Sequence, residues 1–211
     1  MKITVAQYLQ YLENVLEKLN QEEAYVTDLD LATGDGDHWA NMHKGFATVV
    51  SEKETMTDLN LQQLFQQIGM KLMASIGGSS GILYGGAYME ASKKLQGIEA
   101  LDLVSLLDVY DCMLKDIMKR GKGKPGEKTM IDALAPVVDT LREGLSNKDS
   151  EEKILESMIV AAKNGADSTK EMLAVRGRAT YQADKGVGHL DPGAVTMSYQ
   201  IEELCKMFLG A

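Results

Sequence analysis

The chain has 211 residues, 45% hydrophobic and 25% charged, enough for a soluble fold with a substantial core. Its formal net charge of −9 speaks against a nucleic-acid partner, because binding to phosphate backbones draws on clustered Lys and Arg. No apolar run approaches the roughly 18 residues of a membrane span, and residues 1–20 do not read as a signal peptide. Cys112 and Cys205 sit in helical patterns without metal-ligand spacing and read as core thiols. A cytoplasmic protein without a membrane partner is expected.

Val5, Tyr8, Leu9, Leu12, Val15, Leu16 and Leu19 recur at three- and four-residue spacing, the signature of one apolar helix face. Similar patterns cover 38–56, 58–75, 80–96, 101–120, 127–145, 149–175 and 192–209, which makes eight helices. Thr57-Asp58 and Asn147–Ser150 supply residues suited to helix starts, and Pro136 predicts a kink in the sixth segment. No sustained alternation supports strands, and neither a linker nor an internal repeat divides the chain. The expected fold is all-α, a single domain over 1–211.

Glycine-rich connections between these segments carry the chemistry. In the first, Thr33-Gly34-Asp35-Gly36-Asp37-His38 follows Asp28 and Asp30, so four carboxylates fall within ten residues with no Lys or Arg among them. Two like charges about 4 Å apart repel by roughly 4 kcal/mol at an effective dielectric near 20. Such a loop calls for a cation, and oxygen-only ligands suit Mg²⁺ or Ca²⁺. An EF-hand register fails from either Asp28 or Asp35, because Ala32 or Trp39 stands at position five. Magnesium shared with a phosphate ligand fits better, while a solvated acidic turn remains open on these residues alone.

The second connection, Ile76-Gly77-Gly78-Ser79-Ser80-Gly81, precedes a helix whose free N–H groups and partial positive charge favour a phosphate. A plain interhelical turn fits it equally. The third, Arg120 to Met130, spells G-x-G-x-x-G and nearly a P-loop. It follows a helix instead of a strand, and Glu127 stands where the P-loop lysine belongs, so both matches are rejected. A basic loop able to close over a polyphosphate is what survives, and a plain surface turn fits these residues equally. The fourth, Arg176 to Gly193, ends in an Asp191 N-cap with Pro192 at the first helical position. Arg178 adds a planar donor suited to phosphate. His38, His43 and His189 form no triad with a nucleophile.

Taken in order, Gly34-Asp-Gly-Asp-His38, Asn41-Met42, Gly77-Gly-Ser-Ser-Gly81, Arg120-Gly-Lys, Pro125-Gly-Glu-Lys-Thr-Met130, Gly177-Arg-Ala-Thr-Tyr181 and Gly188-His-Leu-Asp-Pro-Gly193 resemble one family. It is the nucleotide-binding L subunit of phosphotransferase-dependent dihydroxyacetone kinases, matched over nearly the whole chain. The resemblance implies a barrel of eight antiparallel helices with a lipid-like apolar interior and a nucleotide site at one rim. It implies Asp30, Asp35 and Asp37 as ligands of two Mg²⁺ ions. It also implies ADP contacts from His38, Trp39, Ala40, Asn41, Ser79, Ser80, Gly121, Met130, Arg178, Asp191, Pro192 and Gly193. Trp39 departs from the family pattern, which often has a small residue there.

By the same resemblance, tightly held ADP is phosphorylated in place by a phosphohistidine-carrying phosphotransferase subunit. The γ-phosphoryl group then passes to dihydroxyacetone on a substrate-binding kinase subunit. An ATP-exchanging kinase would carry its substrate domain in the same chain, for which 211 residues leave no room. A nucleotide-loaded regulatory module and a phosphohistidine carrier using His38 or His189 are the rivals from other classes.

Overall fold

The computed structural model describes residues 1–209. In chain order its helices are α1 (Val5–Gln21), α2 (Glu23–Thr33), α3 (His38–Ser51), α4 (Leu61–Ser75), α5 (Gly78–Ser92), α6 (Leu103–Gly121), α7 (Met130–Asn147), α8 (Glu151–Ser168) and α9 (Pro192–Leu209). Among the described residues there is no strand, only an isolated bridge between Ile3 and Leu101. The all-α expectation holds. No helix of the described residues is long and apolar enough to cross a membrane.

Local sequence sets most helix starts. Thr4 with Gln7, Asn60 with Gln63, Asp102 with Ser105 and Thr129 with Asp132 form reciprocal caps that open α1, α4, α6 and α7. Ser150 caps α8, and the Asp191 carboxylate accepts the Ala194 N–H at 2.7 Å to cap α9. By contrast, α2, α3 and α5 begin without a side-chain cap.

Three expectations change. The described residues hold nine α-helices and not eight, because Glu23–Thr33 is helical. Its pattern was hard to read, since only Val26, Asp30 and Thr33 are buried on it. The cap before α4 is Asn60 and not Thr57 or Asp58, which lie beyond a short 3-10 turn at Lys53–Met56. The segment expected as one helix over 149–175 stops at Ser168, followed by a 3-10 turn at Thr169–Glu171.

Helices pack in sequence from α3 to α9, α9 and α3 both return to α1, and α7 also meets α9. Outside this circuit, α2 lies against α3 and α9. Pro136 does not interrupt α7. As a proline it leaves the Asp132 carbonyl without its usual i+4 donor, and here α8 approaches closely. A Cβ on Gly165 would stand 2.2 Å from that carbonyl oxygen, so only glycine fits the crossing.

Phe46, Phe65, Leu12, Leu64, Ile68 and Leu72 are fully buried, each contributing on the order of 1.5–3 kcal/mol by leaving water. Tyr8 packs on Phe65 at 4.6 Å and its hydroxyl meets that of Tyr88 at 3.0 Å. Tyr11, Tyr84 and Tyr110 join them around a cavity of about 30 Å³, the scale of a water molecule. Ala87, Met113, Ile117, Leu134, Met197 and Ile201 supply the apolar part of its lining.

Candidate functional site

One cleft of about 440 Å³ gathers the ends of several helices. Asp30, on the last turn of α2, is buried, whereas Asp35 and Asp37 on the following loop are exposed. One oxygen from each lies within 4.8 Å of the others. Asp28 is exposed and takes no part in this group, so three of the four nearby carboxylates converge. Gly34 makes the turn possible, since a Cβ there would meet Asp30 Oδ1 at 2.5 Å. Asp30 Oδ2 accepts the His38 backbone N–H at 2.9 Å, which locks the loop to the start of α3. Three hard oxygen donors with few cationic neighbours suit Mg²⁺. The nearest counter-charge is Arg178, whose guanidinium reaches Asp35 at 2.8 Å.

Uncapped helix starts face the same space. Trp39 and Ala40 occupy the second and third positions of α3, where backbone N–H groups have no intrahelical acceptor. Gly77 to Ser80 open α5 in the same condition, with Gly78 at φ +65°. Asn41 joins the two starts, its Oδ1 accepting the Gly77 N–H at 3.2 Å. Two helix N-termini side by side concentrate positive potential where an anion would sit.

Of the expected nucleotide contacts, His38, Asn41, Ser79, Ser80, Gly121, Met130, Arg178, Asp191, Pro192 and Gly193 line the cleft. Trp39 and Ala40 do not. The Trp39 indole N–H donates to the Leu19 carbonyl at 2.8 Å and its ring stacks on His43, so the bulky residue is anchored against α1. His38 is pushed down to about 4 by burial, against the opposing charge of Asp30, so the ring is neutral near pH 7. Burial pushes Asp191 up to about 7, opposed by the Ala194 N–H and by Lys128.

Lys128 escaped sequence reasoning. Its ammonium is buried at the cleft and donates to the Thr169 carbonyl at 2.6 Å and to the His189 carbonyl. It thereby pins both ends of the segment between α8 and α9 to the start of α7. Only the tertiary fold brings these partners together. At the base of the basic loop, Asp132 accepts the Gly126 and Thr129 N–H groups, and Arg176 approaches Glu127 at 3.8 Å. Ile82, Leu83, Ile117 and Ile131 supply an apolar wall beside Met130.

These features define an all-helical domain with an acidic, cation-suited cleft framed by helix N-termini. The chain belongs to the DAK2 domain family, whose model matches residues 32–206. It is 33% identical to the ADP-binding subunit DhaL of the PEP-dependent dihydroxyacetone kinase of Escherichia coli (strain K12), over 97% of each chain. It is 34% identical to the ADP-binding subunit DhaL of the PTS-dependent dihydroxyacetone kinase of Lactococcus lactis, over 97% of this chain and 98% of that one. Among solved structures, the dihydroxyacetone kinase of C. freundii in complex with AMP-PNP and Mg²⁺ superposes with a TM-score of 0.73 at 27% identity. That match covers 98% of this chain but 35% of the longer kinase.

Proposed function

We propose that this chain is the ADP-binding subunit of a multi-subunit, cytoplasmic dihydroxyacetone kinase. Full-length likeness to dedicated subunits, and not merely to one region of a longer kinase, supports that reading. The observation that carries it is the convergence of Asp30, Asp35 and Asp37 on one point beside two uncapped helix starts. When bound, magnesium and ADP supply a phosphoryl relay: a phosphohistidine carrier subunit charges the nucleotide, and a substrate-binding subunit presents dihydroxyacetone, giving dihydroxyacetone phosphate.

The chain's own part is positioning and charge neutralisation, which dominate phosphoryl transfer. Asp30, Asp35 and Asp37 hold two Mg²⁺ ions. The backbone N–H groups of Trp39, Ala40, Ser79 and Ser80, with the side chains of His38, Asn41 and Ser79, orient phosphate oxygens. Arg178 leaves Asp35 for phosphate once metal neutralises that carboxylate. Met130 packs on the adenine, Gly121 lets the base approach, and Asp191, Pro192 and Gly193 close the cleft from α9. No protein nucleophile is required.

Native mass spectrometry of the purified protein tests this directly. Co-purified ADP with magnesium at one nucleotide per chain is the expected result. A chain that neither carries ADP nor takes it up with Mg²⁺ in calorimetry refutes the reading. Acid-labile label on the protein, with none on its nucleotide, would point to a phosphohistidine carrier instead.

A further inference from the structure

Thr196, Gln200 and Tyr84 form a buried polar line that the binding reading does not use. Thr196 and Gln200 stand one turn apart on α9 with the apolar neighbours Val195, Met197 and Ile201, and Tyr84 faces them from α5. Buried polar groups are costly unless hydrogen-bonded, so their partners matter. Gln200 Nε2 donates to the Tyr84 hydroxyl at 3.1 Å and to the Thr196 carbonyl at 3.1 Å. The Thr196 hydroxyl is also near enough to the Tyr84 hydroxyl to influence its proton. Thr196 Oγ1 in turn lies 2.9 Å from His38 Nε2 and 3.3 Å from the Gly193 carbonyl.

Proton counting along this line gives it a direction. Both Gln200 amide protons have acceptors, which makes the Tyr84 oxygen an acceptor and leaves its own proton for Thr196. Thr196 then has one proton to give, and His38 Nε2 is the nearer acceptor. A ring nitrogen that accepts is bare, so the imidazole proton resides on Nδ1. Among the described residues Nδ1 has no protein partner. No buried side-chain nitrogen or oxygen lacks one either, so Nδ1 opens to the cleft that His38 lines.

We propose that Thr196, supported by Tyr84 and Gln200, holds His38 as its Nδ1–H tautomer, so that His38 donates a hydrogen bond to an oxygen of the bound nucleotide. Thr196 and Tyr84 are positioning residues that act through His38 and touch no ligand. The tautomer also sets the role of this histidine. With its cleft-facing nitrogen protonated, it serves as a donor and not as the acceptor of a phosphoryl group. This rests on the nucleotide reading of the cleft, but the tautomer itself exists without nucleotide.

Long-range ¹H–¹⁵N correlation spectra of histidine-labelled, nucleotide-free protein test it, with His38 assigned by the signal lost in His38→Asn. The expected spectrum shows Nδ1 as the protonated nitrogen and Nε2 as the bare one. Thr196→Val should abolish that preference and weaken binding of ADP with Mg²⁺ by about 10- to 100-fold, as for a mispositioned hydrogen bond to a charged group. Thr196→Ser should restore both. If Thr196→Val does not fold, Tyr84→Phe, which removes only the hydroxyl, replaces it and should shift the tautomer the same way. A wild-type His38 protonated at Nε2 overturns the proposal. So does a folded Thr196→Val that keeps the wild-type spectrum and affinity. Failure of wild-type protein to bind ADP sinks the functional reading instead, and the apo spectrum still decides the tautomer.

Discussion

Helices α4 and α6 begin with caps drawn from their own sequence, Asn60 with Gln63 and Asp102 with Ser105. Helices α3 and α5 begin at the cleft with none. The capped ends are self-sufficient: a side chain takes up the free N–H groups, and about 1 kcal/mol of stability stays within the helix. At the cleft Asp30 takes the His38 N–H and Asn41 the Gly77 N–H, while the next N–H groups, of Trp39, Ala40, Ser79 and Ser80, have no capping side chain. An open start is not by itself the mark of a site, since α2 also lacks a side-chain cap; at α3 and α5 two such starts coincide beside the three carboxylates, and this sets the cleft apart from the capped scaffold.

The largest effect expected from this contrast is at the carboxylates. Asp35→Ala should weaken ADP binding in the presence of Mg²⁺ at least about 100-fold, roughly 3 kcal/mol, measured by calorimetry. The protein should keep its helical circular-dichroism signal, because Asp35 is exposed and holds no buried neighbour. Stoichiometric ADP on that variant would break the comparison. Next, stripping metal and nucleotide with chelator should lower the melting temperature, since ligand at 100 times its Kd stabilises by about 2.7 kcal/mol. An unchanged melting temperature after verified removal would mean that the cleft is not linked to folding.

A smaller effect concerns pH. With its carboxyl pushed up to about 7 by burial, Asp191 in the folded, nucleotide-free protein binds more protons than the unfolded chain between about 4 and 7. Stability attributable to this residue therefore falls as pH rises through that window. Asp191 is only partly buried, so the loss is about 1–2 kcal/mol. Asp191→Asn, which preserves a cap, should flatten that slope in denaturant titrations at several pH values. An identical slope in the variant removes Asp191 from the account. The smallest effect lies on the scaffold side: Asn60→Ala should cost about 1 kcal/mol in urea unfolding and leave ADP affinity unchanged. A drop in affinity there would blur the division between the two kinds of helix start.

Parts of this picture were legible from residues alone because their causes are local. The stripe from Val5 to Leu19 forecasts α1, and Asp191-Pro192 forecasts the start of α9, since both depend on neighbours a turn or less away. Glu23–Thr33 was not legible, because α2 lies outside the helix circuit and buries too few apolar residues to show a period. Thr196 and Gln200 left a readable trace, two polar residues four apart within an apolar pattern, yet their partner His38 is 158 positions from Thr196. Lys128 left none, as its two carbonyl acceptors belong to a distant connection.

Sequence by itself determined that the chain is helical, and it pointed to the glycine-rich connections, with Asp30, Asp35 and Asp37, as the place to look for a site. Periodicity, turn chemistry and short-range charge repulsion are properties of neighbours along the chain. Tertiary structure alone decided that oxygens of Asp30, Asp35 and Asp37 converge on one point, that Trp39 turns away to Leu19, and that five tyrosines gather around one small cavity. Those outcomes depend on which side chain arrives from a remote helix to satisfy a donor or occupy a volume, and no local pattern encodes that arrival.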